Sequence, residues 1–562
     1  MHRLKTIAFL MSLSAAPAFA QQFVDETAKR FPVQAEYSNQ ISICDIDLDG
    51  DLDIVFADGQ GYSSIGVSLP PSIYINDGNG FFTNETEARM DGTLGWWRGV
   101  EFGDIDGDGD PDMLLANDFN RLGALLLNDG EGHFTRDLSL WPSERLSSAR
   151  GQFADVDNDG DLDIAVCDSG TSSRFGSNGR PHIMLNDGTG NFIKVTETNT
   201  PNAIIPDQQD CIFADIDGDF DLDLHISSRS SSNGGSQIWV NDGNGVFTRL
   251  TSGVPTDYNT YSYDFGDFDG DGDLDLLGAN AWTSNREMLL RNDDDGTTWT
   301  NLSDDISPNP TSDDNDTKFI DFDLDGDLDF VVAALGASQE RFYRNNGNNT
   351  FTQMTNMATS FTDSSLDVEF ADLDGDGRYD MVTAQGEFGN FQNRIYMNTG
   401  GRDAIPPRVV STEQIEPEDG ETGGFVVRTM VLDEHTSDRG FHAKGMDLVY
   451  VVDSGLEQSV EMIWSGNSLW RGVLPEVGPC RQVSYFVRAT DGASNVGEGE
   501  VRNFETNGQC GSAADLNGDG RVDGEDIGLF LLQWGGPGSA DFNGDGLVDG
   551  ADFGILLLEW TF

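Results

Sequence analysis

The chain has 562 residues, a formal charge of −66, 35 Phe and 10 Trp. That length exceeds a single core, the aromatic content excludes a disordered chain, and the negative balance excludes nucleic acid and anionic membranes, whose phosphates would repel it. The acids stand in short spaced clusters with Gly rather than evenly, which points to cation sites.

In chain order, the first segment reads as a secretory signal. Arg3 and Lys5 precede an apolar run too short to span a bilayer, and Ala18-Phe19-Ala20 is a cleavage site, so the mature chain is expected to begin after Ala20 and to be extracellular or at the cell surface. No other stretch approaches a membrane span. The rest divides into 21–403, 404–508 and 509–562. Five cysteines are too few for a disulfide scaffold. Cys44 and Cys211 read as packed thiols, and Cys480 with Cys510 is a candidate bridge between the two C-terminal modules.

The motif D-x-D-x-D-G-D-x-D, with two variants, starts at residues 45, 104, 155, 215, 267, 321 and 372. Seven copies at one period mean repeated supersecondary units. Each unit reads as four strands: one ending at the Asp loop, one leaving it, a third ending in Asn (Ile73-Tyr74-Ile75-Asn76), and a fourth after an Asn-Asp-Gly turn. Four-stranded units repeated radially make propeller blades. Third strands occur seven times, but after the first motif fourth strands occur only six times. The missing one matches Phe23-Val24-Asp25-Glu26-Thr27, so the N-terminus is expected to complete the seventh blade and close the circle. The predicted fold class is mainly β: a seven-bladed β-propeller, a β-sandwich and a small α-helical EF-hand-type module.

Calcium takes six to eight hard oxygens in a flexible cage. Carboxylates at loop positions one, three, five and nine with a backbone carbonyl at seven can wrap one ion, and Gly at six permits the turn. The predicted ligand sets are Asp45, Asp47, Asp49, Asp51 and Asp53; Asp104, Asp106, Asp108, Asp110 and Asp112; Asp155, Asp157, Asp159, Asp161 and Asp163; Asp215, Asp217, Asp219, Asp221 and Asp223; Asp267, Asp269, Asp271, Asp273 and Asp275; Asp321, Asp323, Asp325, Asp327 and Asp329; and Asp372, Asp374, Asp376, Arg378 and Asp380. Position seven contributes only its carbonyl, so Arg378 is tolerated. In the fourth loop Phe220 replaces Gly, and a bulky residue resists positive φ, so this site is expected to be the weakest or distorted.

These loops, with Phe102-Gly103 and Phe265-Gly266 before them and Gly278-Ala279-Asn280 after the strand, resemble the FG-GAP/VCBS repeat family, calcium-loop propellers related to the integrin α head. The resemblance covers roughly residues 22–400. It implies the fold and calcium, and a function ranging over adhesins, lectin-like proteins and polysaccharide lyases.

The loops and Asn-Asp-Gly turns share one face of such a ring. The opposite face carries the longer connections and a candidate ligand surface: Trp96, Trp97, Arg98, Trp141, Tyr258, Tyr261 and Trp282. Exposed aromatic rings suit sugar stacking; the alternative is that they pack the connections against the ring.

Ala404-Ile405-Pro406-Pro407 marks a linker. Residues 408–508 alternate in short strands and look like an immunoglobulin- or fibronectin-III-like sandwich. The tail is duplicated: Asp515, Asn517, Asp519, Arg521, Asp523 and Asp526 recur as Asp541, Asn543, Asp545, Leu547, Asp549 and Asp552, each set followed by an apolar helix, Ile527 to Trp534 and Phe553 to Trp560. EF-hand-type spacing with Asp at position twelve resembles a type I dockerin, which implies a cohesin-like or cell-surface partner. Partner-contact Ser-Thr at positions ten and eleven is replaced by Gly524-Glu525 and Gly550-Ala551. Up to nine calcium ions are expected in all.

The leading functional expectation is a secreted, non-catalytic calcium-binding propeller that binds carbohydrate or protein and docks through its tail. The alternatives are a polysaccharide hydrolase or lyase, and a structural matrix protein. With six His, none in a motif, no nucleophile elbow and no HExxH, no catalytic residue can be named.

Overall fold

The computed structural model describes residues 21–60, 65–141, 145–148, 150–170, 179–232, 235–254, 259–281, 285–335, 339–361, 363–386, 389–417, 422–436, 442–506, 512–517 and 521–560. The signal segment, Tyr258, Trp282, Cys510 and Asp519 lie outside them. Among the described residues no helix is long and apolar enough to cross a membrane.

Among the described residues, 23–398 form seven four- or five-stranded sheets, antiparallel but for one added strand, and a two-stranded pair, Arg121–Leu122 with Arg145–Leu146. Six follow the chain, each opening on a strand that ends at an Asp loop: Ser38–Cys44, Trp97–Gly103, Gly151–Ala154, Gln208–Ala214, Thr260–Gly266 and Asp314–Ile320. The seventh consists of Ser365–Ala371, Asp380–Gln385, Arg394–Asn398 and, as its outer strand, Phe23–Asp25 from the N-terminus, with Phe23 opposite Asn398 and Asp25 opposite Tyr396. The sixth sheet carries a fifth, parallel strand, Ile306–Ser307, against Phe351–Met354.

The first strand of each sheet lies against the first strand of the next, and that of the seventh against that of the first. Apolar clusters fill the spaces between neighbours. Val55, Ile73, Phe102 and Met113 join the first two sheets, and Ile41, Ile43, Val382 and Ile395 join the seventh to the first. The residue two before each loop is an anchor of this packing: Phe102, Phe153, Phe213, Phe265, Phe319 and Phe370 are all buried. Removing one such ring costs about 3–5 kcal/mol.

The inner strands interleave these apolar residues with polar ones, so the middle of the circuit is ionic. Arg150 of the third sheet reaches Asp367 of the seventh, with Asp210 at 3.5 Å and Asp316 at 3.6 Å. Lys318 pairs with Glu369 at 2.7 Å. Axial side chains also accept amides of the next inner strand: Gln40 from Val100, Asp367 from Ile41, Gln152 from Phe213.

Residues 408–505 make two further antiparallel sheets that share one apolar cluster, including Val427, Leu448, Tyr485 and Val487. They rest on the Asp-loop side of the seven-sheet circuit. The Asp155 amide donates to the Ser465 carbonyl at 2.7 Å, the Asp321 amide to the Glu434 carbonyl at 2.7 Å, and Arg408 pairs with Asp267. The tail helices are Gly524–Leu532 and Gly550–Leu558, each opened by a capping box, Asp523 with Asp526 and Asp549 with Asp552. Cys44, Cys167 and Cys211 are buried free thiols, and Cys480 is disulfide-bonded.

Candidate metal sites in the aspartate loops

The seven loops share one hydrogen-bond plan. The position-one carboxylate organises the turn: Asp45 accepts from the amides of Asp49 and Gly50, Asp104 from Gly107 and Gly109, and Asp372 from Asp376 and Gly377. Position six is left-handed throughout, with φ of +97° at Gly50, +107° at Gly272 and +68° at Phe220. The fourth loop is therefore not distorted. Phe220 takes the conformation a glycine would and still donates its amide to Asp215, so the cost appears as backbone strain.

The position-three aspartates carry the clearest sign of a missing partner. In all seven (Asp47, Asp106, Asp157, Asp217, Asp269, Asp323 and Asp374) Oδ1 is buried and has no hydrogen-bond partner. A buried, unpaired carboxylate oxygen is costly unless a cation takes it. In the sets Asp45–Asp47–Asp53, Asp155–Asp157–Asp163 and Asp215–Asp217–Asp219, one oxygen of each residue lies within 4.8 Å of the others. The donors are all hard oxygens, so the residues fit a divalent ion such as calcium.

Position nine has a structural job that the spacing of the motif did not announce. Each of these aspartates is buried and clamps the backbone. Asp53 accepts the amides of Ile46 and Asn76, Asp112 those of Ile105 and Asn128, Asp223 those of Ile216 and Asn241. The Asn ending the third strand is a donor in every case, and at Asp329 it is the only one among the described residues. The same Asn reaches sideways: Nδ2 of Asn128 donates to the carbonyl of Ile46 in the first loop, and Nδ2 of Asn186 to that of Ile105 in the second. Six of the seven Asn thus clip their own loop to the preceding sheet's loop; in the seventh sheet Asn398 stays within its own loop and Gln22 takes the Phe322 carbonyl. The recurrence of Asn at the strand end was the available signal for it.

Burial, with neighbouring carboxylates adding to it, pushes Asp53 and Asp112 up to about 8, Asp155 and Asp215 to about 7, and Asp329 to about 10. Arginines offset a few loops: Arg89 meets Asp47 at 2.9 Å and Arg30 meets Asp374 at 3.3 Å.

A family model described as FG-GAP-like repeat matches residues 45–115, 104–166, 215–278 and 321–383. These four segments are similar to FG-GAP-like repeats. Each matched segment begins on a position-one aspartate, so the repeats coincide with the loops. No curated protein matches the chain. Among solved structures, the biofilm matrix protein Bap1 of V. cholerae is 11% identical, with 84% of this chain and 75% of that chain covered at a TM-score of 0.31. An alpha-L-arabinanase of Penicillium chrysogenum, solved with arabinobiose, is 11% identical, with 67% and 97% covered at a TM-score of 0.33. At these scores neither carries a function over to this chain.

The tail repeats the plan. Asp541 accepts the amides of Gly544, Asp545 and Gly546. The position-twelve carboxylates clasp their loops: Asp526 accepts from Leu516, Asn517 and Asp523, and Asp552 from Phe542, Asn543 and Asp549.

The expected aromatic surface is corrected by burial. Trp97, Arg98, Trp141 and Tyr261 expose 0%, 3%, 6% and 7% of their surface, so none offers a ring face to a sugar. Arg98 is paired with buried Asp118 at 3.5 Å, and Tyr261 accepts from Arg229 at 2.9 Å. Trp96 is half-buried, its indole nitrogen donating to Gly66 and its ring under Arg121. These residues pack the connections onto the sheets. Their polar neighbours imitate a binding face in sequence because those neighbours are internal partners.

Proposed function

We propose that this is a secreted, non-catalytic binding protein: a calcium-stapled seven-bladed propeller (21–403), an immunoglobulin- or fibronectin-III-like sandwich (404–508) and a dockerin-like tail (509–562). It takes a carbohydrate in the cleft between loop face and sandwich. The observation that carries this reading is that cleft, a cavity of about 640 Å³ whose floor includes the loop residues Asp45, Asp104 and Asp372 and whose opposite wall includes Trp464 and Trp470. Indole faces beside hard-oxygen loops suit the apolar face and hydroxyls of a sugar ring. Binding is then calcium-dependent, because the floor is built of cation loops.

The tail is the docking element, for a cohesin-like or cell-surface partner. Leu532 and Leu558, equivalent in the two tail repeats, are 82% and 87% exposed, and Leu531 and Leu557 beside them 57% and 50%. Paired apolar patches of this kind are surfaces for partners.

The test is retention on a panel of insoluble and soluble polysaccharides in calcium, with released sugar assayed in parallel. Retention without release is expected, with at least a tenfold loss in Trp464→Ala or Trp470→Ala variants that still fold. Release of sugar ends overturns the non-catalytic reading, and no retention on any polysaccharide overturns the carbohydrate. The tail variant Leu532→Glu/Leu558→Glu is expected to leave retention and melting unchanged while abolishing capture by the partner surface.

A further inference from the structure

Four carboxyl groups outside the loops meet where the loop face joins residues 408–505. Asp403 follows the seventh sheet and is tied to its loop, the Asp403 amide donating to the Gly377 carbonyl at 2.7 Å. Asp433 and Glu434 follow the strand Val426–Leu432, and Asp491 follows Gln482–Thr490. Asp403, Glu434 and Asp491 are 4%, 5% and 0% exposed. The Nδ2 of Asn495 bridges Oδ2 of Asp403 and Oδ2 of Asp491, at 2.9 Å to each, and the Tyr379 hydroxyl donates to Oδ2 of Asp433 at 3.1 Å. None of the four makes an ion pair with a described residue.

Acids gathered in this way do not by themselves make a site. Glu434 supplies the independent observation. Its side chain is buried, its carboxylate lies against those of Asp433 and Asp403, and neither Oε1 nor Oε2 has a hydrogen-bond partner; Oδ1 of Asp433 is likewise buried without one. For these three acceptor oxygens the one donor at hand is a proton shared between Glu434 and Asp433, and Arg408, which lines the adjoining cavity, is paired with Asp267 instead. The neighbouring His435 supplies no counter-charge, because burial keeps its ring neutral. Burial, with the neighbouring carboxylates adding to it, holds Asp403, Asp433 and Glu434 above the usual carboxylate range. A cavity of about 530 Å³, lined in part by Asp433, Glu434 and Ile405, opens beside the cluster.

We propose that Asp403, Asp433, Glu434 and Asp491 form a divalent-cation site, taking calcium, that fastens residues 408–505 to the sixth and seventh loops. The donors are all oxygens, as calcium prefers. One ion would face side chains from three chain segments, and it would neutralise part of a charge that otherwise destabilises the junction. The sixth loop is already joined here through the Asp321 amide and the Glu434 carbonyl. The ion therefore couples the position of the 408–505 sheets to calcium, independently of whether the cleft binds sugar.

The experiment uses full-length protein crystallised at pH 7.5 or above with terbium, followed by anomalous difference maps. A peak among the four carboxylates is expected, in addition to peaks in the aspartate loops. Filled loops with no peak at the junction overturn the inference and leave the loop reading standing. A junction peak with empty loops does the reverse. As a second measurement, the variant Glu434→Gln/Asp491→Asn is expected to retain one calcium fewer per chain than the parent at saturation, by elemental analysis. Equal retention in a folded variant also overturns the site; if the variant does not fold, the map decides.

Discussion

Chelation will lower the melting temperature of the seven-sheet region by on the order of 20 °C, the largest effect expected for any single manipulation of this protein. The reason is the row of seven buried position-three oxygens without partners. At ten times its dissociation constant a bound ion stabilises by about 1.4 kcal/mol, so seven loops reach about 10 kcal/mol, comparable to a domain's whole stability. The pH dependence gives a second signature. In EDTA, Asp53, Asp112, Asp155 and Asp215 are raised to between about 7 and about 8. Their unfolded values stand near the ordinary carboxylate value of about 4. Between those limits the folded state binds more protons than the unfolded one. Stability is therefore lost as pH rises, and the chelated protein should melt progressively lower from pH 5 to pH 8. Calcium displaces those protons, so in its presence the melting temperature should hold or rise over the same range. Scanning calorimetry across pH with and without EDTA reads both effects. A melt indifferent to EDTA at pH 7.5 would sink the calcium-stapled reading.

The repeat was legible in the sequence because each unit restates the same physics. Asp at alternate positions, Gly at six and Asn at the third strand's end survive as a pattern in one dimension, since they act within one loop and one hairpin. The exchange of the outer strand was legible by counting, as Phe23–Asp25 pairs with Arg394–Asn398. Contacts between distant segments were not legible. Nothing in the spacing of Arg150 says that it meets Asp367 across the middle of the circuit, and nothing in the linker 404–407 says that the following sheets rest on the loops. The aromatic surface failed for the same reason: Trp97 and Arg98 beside polar neighbours look like a binding face until Asp118, just past the neighbouring strand Asp112–Asn117, is brought to the guanidinium. The structural duty of position nine was hidden by its chemistry, because a carboxylate that clamps two amides reads the same as one that ligates an ion.

That double duty gives a pair of substitutions in one loop with opposite signatures. Asp163 is fully buried, with Oδ1 accepting the Asn186 amide at 2.8 Å and Oδ2 the Val156 amide at 2.9 Å. Asp163→Ala leaves two buried amides without an acceptor, at about 1–3 kcal/mol each, and opens a small cavity, so a loss of about 3–5 kcal/mol is expected. The loss belongs to the fold rather than to the ion, so it should be seen in EDTA and should persist in saturating calcium. Asp159, at position five of the same loop, is exposed, and within the loop its carboxylate takes only the Asp161 amide. Asp159→Ala should leave the melt in EDTA nearly unchanged and remove only that loop's share of the calcium-induced rise, about 1.4 kcal/mol. Parallel melts of the two variants in EDTA and in calcium separate the roles. If Asp163→Ala melts with the parent in EDTA and differs only in calcium, position nine is purely a ligand, and the clamp between loop and third strand contributes nothing to the fold. If Asp159→Ala loses as much in EDTA as Asp163→Ala does, the loop depends on its position-five side chain for its own conformation, and the division between clamp and ligand fails.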